Sequence, residues 1–116
     1  MAYDEELAER VRRALTPREG ISERKMFGGI AFMLRGNMAC GIVRDQLMVR
    51  VGPERYDDAL ARPHARPMDF TGRAMRGMVY VGPEGLRSDA DLAEWVRGGA
   101  EFAAALPPKK TSSTGR

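Results

Sequence analysis

Tyr3, Leu7, Val11 and Leu15 recur every four residues, and the positions between them are mostly Glu and Arg. That spacing lines up one apolar stripe on a helix and predicts an amphipathic first helix. Asp4, Glu5 and Glu6 fall in its first turn and Arg12 and Arg13 near its end, the order the helix dipole favours. Pro17 and Gly20 stop it. The pattern then changes to short apolar runs separated by turn residues, which predicts strands. Met26–Leu34 reads as the first strand, Arg35–Asn37 as a hairpin turn and Met38–Val43 as the second strand. Arg44–Gln46 turns the chain again. In Leu47–Val51 the apolar Leu47, Val49 and Val51 alternate with Met48 and Arg50, as expected of a strand with one buried face. Gly52-Pro53 ends this meander and starts a short helix through Leu60. The proline-rich stretch Ala61–Pro67 reads as a loop, and Met78–Val81 as a fourth strand. Ser88 then caps a last helix, with Asp91 three residues on. Its stripe is Leu92, Trp95, Val96, Phe102, Ala103 and Leu106.

These elements predict an α+β fold of one domain over residues 1–106, in the order α-β-β-β-α-β-α. A four-stranded antiparallel sheet would be covered on one face by the N- and C-terminal helices. Pro107-Pro108 ends the last helix, and residues 107–116 read as a disordered basic tail. The 116 residues suit one small domain with a single core. No apolar run approaches the ~20 residues needed to span a bilayer, so no membrane partner is expected. The acidic N-terminus has no apolar stretch of the signal-peptide kind. Cys40 is the only cysteine and His64 the only histidine. A disulfide within the chain is therefore excluded, a four-ligand zinc site is not supported, and a cytoplasmic setting is expected.

Charge changes the picture little. The net charge is +3, but Lys109, Lys110 and Arg116 lie in the tail, and without them 16 basic residues face 16 acidic ones. Residues 21–80 carry 10 basic and 6 acidic side chains, while both flanks lean acidic. This is a thin footprint for a nucleic-acid binder.

Gly28-Gly29 beside Lys25 raises the question of a phosphate-binding loop. Such a loop leads from a strand into a helix, whereas "IAFMLRG" is strand-like and leads into a hairpin. The pair is therefore read as a bulge or a close backbone approach within the first strand, beneath a bulky neighbour such as Trp95 or Phe102. Together "KMFGGIAFMLRGNMACGIV", "LMVRVGPE", "GRAMRGMVYVGPEGL" and "LAEWVRGGAEFAAALPPKK" resemble the TfoX/Sxy N-terminal domain family over about residues 5–108. The resemblance implies a regulator of competence genes with no enzymatic activity and no cofactor. Full-length members also carry a helical C-terminal domain.

Three functional readings follow. The first is a non-catalytic regulatory module acting through a protein partner or self-association, with Met33 and Met48 as partner-face candidates, since methionine surfaces repack readily. The second is direct nucleic-acid or anion contact through a central cationic set. Its leading members are Lys25, Arg66, Arg73 and Arg76, with Arg24, Arg62 and His64 nearby in sequence, because arginine forks suit phosphate. The alternative for that set is a solvated loop balanced by Asp57, Asp58 and Asp69. The third is a small-molecule or enzymatic site around Cys40 and His64. Against it, Cys40 sits mid-strand, where cysteine behaves as an inert hydrophobe, and no orienting acid is evident. Tyr80 and Trp95 are read as core residues.

Overall fold

The computed structural model describes residues 3–16, 19–26, 28–69 and 74–107, with the side chains of 26, 68, 69 and 74–76 left out of the description. The chain runs α1 (Glu5–Leu15), β1 (Ile21–Met26), β2 (Gly29–Leu34), β3 (Asn37–Val43), β4 (Gln46–Arg50), α2 (Tyr56–Leu60), β5 (Ala65–Asp69), β6 (Ala74–Val81), a 3₁₀ turn (Pro83–Leu86) and α3 (Asp89–Ala105). All strand pairs are antiparallel, in the order β1-β2-β3-β4-β6-β5. The architecture is α+β, as the pattern predicts, but six strands form rather than four.

Both additional strands are edges. The expected single strand Met26–Leu34 is in fact the second half of a hairpin whose first half is Ile21–Met26. Gly28 takes φ +73° after β1, a conformation that disfavours side chains. Gly29 opens β2 where a Cβ would collide with the carbonyl oxygen of Ile42. The close approach is therefore real, but it is strand against strand and lies at a turn, not a bulge under Trp95 or Phe102. The helix approaches the sheet elsewhere: Gly99 of α3 lies against the Ala39 carbonyl, and Phe102 packs over Gly52. β5 replaces part of the expected loop Ala61–Pro67. Its proline is tolerated because an edge strand has no partner on its outer side.

The predicted Ser88 cap holds, and Asp4, read from the sequence as a first-turn residue, is the N-cap of α1. Asp4 accepts a hydrogen bond from the Leu7 amide at 3.1 Å, and Ser88 accepts one from the Asp91 amide at 3.0 Å. The Arg35-Gly36 turn, at φ 52° and 83°, makes the β2–β3 hairpin.

One core holds all the helices against one sheet face. α1 contributes Leu7, Ala8, Val11 and Leu15, α2 contributes Tyr56 and Ala59, and α3 contributes Leu92, Trp95, Val96, Ala100 and Ala103. The strands contribute alternating residues, among them Ile30, Phe32, Leu34, Ile42, Leu47, Val49, Val79 and Val81. Arg12 of α1 clamps β1 through a two-pronged pair with Glu23 at 2.6 and 2.9 Å. Arg10 ties α1 to the start of α3 through the Leu86 carbonyl, at 2.7 Å, and Asp89. Among the described residues, no helix is long and apolar enough to cross a membrane.

Candidate functional site

Strand alternation sends half of the sheet's side chains away from the helices, and no helix residue joins the cluster they form. Met48 and Met78 are its buried centre, with Met38, Val43 and Tyr80 packed around them and partly exposed. Met33 is register partner to Met38 and half-buried. The terminal methyl of Met48 lies over Gly41, 2.5 Å from where a Cβ would stand. The cluster thus roofs its own sheet with flexible thioether side chains.

At the β5 edge, Arg66 stacks on Tyr80, 4.8 Å from the ring centre, and its guanidinium donates to the side-chain oxygen of Gln46. Three strands thereby hold one cation in place on the helix-free face. At the opposite edge Arg24 is exposed, paired in register with Ala31.

Of the two partner-face candidates, Met33 is half-buried on this face, while Met48 is fully buried as its centre. Tyr80, expected in the core, belongs to this face instead. The alternation Met78, Val79, Tyr80, Val81 already carries that signal.

The cationic set does not gather. Lys25 is exposed on β1 and Arg66 on β5, opposite edges of the sheet, five interstrand steps or about 24 Å apart. Arg73 and the side chain of Arg76 lie outside the described residues, as does the tail from residue 108 on. Arg62 is taken up on the helix layer, 4.0 Å over the Trp95 ring and 3.0 Å from Glu94. It forms one side of a cleft between α2 and α3, a groove of about 300 Å³ with Val51 and Ala59 on its walls. Arg55, 3.8 Å from Glu101, borders the same cleft.

Cys40 and His64 are not brought together either. Cys40 is 0% exposed in β3, and burial pushes its thiol up to about 12, so it stays protonated at neutral pH. His64 is exposed just before β5, and β3 and β5 are three interstrand steps or about 14 Å apart. Among the described residues no three carboxylate, imidazole or thiol groups lie close enough to share a metal ion.

A family model described as the TfoX N-terminal domain matches residues 13–103. The chain belongs to the TfoX N-terminal domain family. The match runs from the last turn of α1 to the last turn of α3, so the TfoX N-terminal domain includes the whole sheet and the helix-free face. No curated protein and no solved structure matches the chain.

Proposed function

We propose that this TfoX N-terminal domain is a non-catalytic regulatory module, cytoplasmic in setting, that works through protein–protein contacts. The observation that carries this reading is the helix-free sheet face. Met38, Val43 and Tyr80 lie partly exposed there around a buried methionine pair, with Met33, also partly exposed, in register beside Met38. Soluble domains usually cover both faces of a mostly apolar sheet or make the outer one polar. A contiguous apolar patch left open is a contact surface.

The test is a pair of substitutions that alter the face without touching the core beneath the helices. Met33→Asp with Met38→Asp should leave the melting temperature within a few degrees, because neither side chain is fully buried. The same variant should lose whatever protein the wild-type chain captures, or the dimer it forms in light scattering. A wild-type chain that stays monomeric and captures no protein would falsify the reading.

A further inference from the structure

The register places six residues in one continuous row across the helix-free face. Arg24 is partner to Ala31, Ala31 to Gly41, Gly41 to Met48, Met48 to Tyr80 and Tyr80 to Arg66. The row is apolar in the middle and ends in arginine at both sheet edges, about 24 Å apart by the usual strand spacing. Neither arginine has an acidic partner among the described residues. Arg66 is held by a ring and an amide, both neutral. Glu23 is the one acidic strand residue whose side chain is described, and Arg12 holds it towards α1.

Among the described strands and helices, charge differs by layer. The strands carry five basic residues (Arg24, Lys25, Arg50, Arg66, Arg76) and two acidic ones (Glu23, Asp69). The three α-helices carry nine acidic residues and four arginines. The near-neutral body therefore conceals a basic sheet layer backed by an acidic helical one.

Building on the protein-contact reading above, we infer that the row binds a different protein, one that presents an apolar patch flanked at both ends by carboxylates. Each arginine fork then meets a carboxylate, the geometry in which guanidinium contacts are strongest. The methionines repack under the apolar centre. A second copy of this chain is the poorer occupant. Both ends of the row are cationic, so stacking two such faces about a two-fold axis brings arginine onto arginine in either orientation. Nucleic acid is poorer still. Duplex DNA carries a charge about every 1.7 Å along its axis, and two cations some 24 Å apart around an apolar centre do not match it.

The probes are two synthetic 18-residue amphipathic helices with the same leucine stripe, one ending in Glu at both termini and the other in Lys. A 20-base-pair duplex is the third probe. The full chain carries ¹³C-methyl methionine, so the Met33 and Met38 methyl resonances report where a probe binds. The Glu-ended helix should move both resonances and bind at least tenfold tighter than the Lys-ended one. That advantage should shrink as salt rises. Arg24→Glu alters an exposed position and should reduce the preference severalfold, and adding Arg66→Glu should reverse it. Equal binding of the two helices at Met33 and Met38 overturns the acidic partner but leaves the contact face standing. Binding of neither helix overturns both. Tighter binding of the duplex, or a chain that self-associates through these methionines, overturns the proposed partner in favour of that occupant.

Discussion

Single side chains show how the two faces of the sheet differ. Cys40 faces the helices, is fully buried and has its thiol raised by burial from about 9 to about 12. The native chain should react with a thiol reagent only as fast as it opens, and fast labelling under native conditions would contradict the packing. The sign of its pH effect is also determined. The unfolded thiol ionises first, so this group's share of stability is intact below about pH 9 and is lost as pH climbs towards 12. Glu23 behaves oppositely. Its hydrogen bonds from Arg12 hold the carboxyl below its ordinary range, so stability from the pair is present above that range and fades as pH falls. Both partners are about one-third exposed, which keeps the effect small. Glu23→Gln should flatten the acid side of the stability–pH curve, read by denaturant titration between about pH 3 and 7. An unchanged curve would mean that the clamp contributes nothing.

At the scale of elements, α3 packs against α1 and against strands β2, β3 and β4. It starts from the Ser88 cap and meets β3 at Gly99, where the Ala39 carbonyl leaves no room for a Cβ. Gly99→Ala should destabilise the chain by about 1–3 kcal/mol through overpacking, although alanine is the better helix former. A neutral or stabilising result in chemical denaturation would show that α3 can shift without cost. Ser88→Ala should cost about 1 kcal/mol by exposing helix amides. Phe32→Ala, at a 0% exposed site under the helices, should cost about 3–5 kcal/mol. The edge strands are the elements the pattern of the chain conceals. β1 carries Ser-Glu-Arg-Lys in its middle and β5 carries a proline, features that read as linker or loop. Charged residues and proline are also what an edge strand uses to refuse further pairing, so the same residues serve both descriptions.

Over the whole molecule, helices and strands separate both apolarity and charge. Membership of the TfoX N-terminal domain family accounts for the scaffold. On the proposal above, the open methionine face with its terminal arginines is the surface a partner would meet. High salt should leave the thermal midpoint nearly unchanged, because the core is apolar, while weakening any contact made by the cationic sheet layer. A midpoint that drops steeply with added NaCl, followed by circular dichroism, would instead make the ion pairs of the helix layer central to stability.

Local chemistry alone determined the helices, the Ser88 cap, the central strands and the α+β class, because each is written in periodicities and turn residues a few positions long. Met33 was legible as a partly exposed residue, whereas Met48, named beside it, is buried, and the burial of Cys40 was legible in its small and apolar neighbours. What only the tertiary structure decided was which residues meet. Lys25 and Arg66 look like one cationic set along the chain and end on opposite edges, while Arg24 and Arg66 become the two ends of one row. Register and strand order bring about both outcomes, and they come from pairing between strands as much as 34 residues apart, as for Leu47 of β4 and Val81 of β6. Pairing over such separations leaves no mark on any short window of sequence.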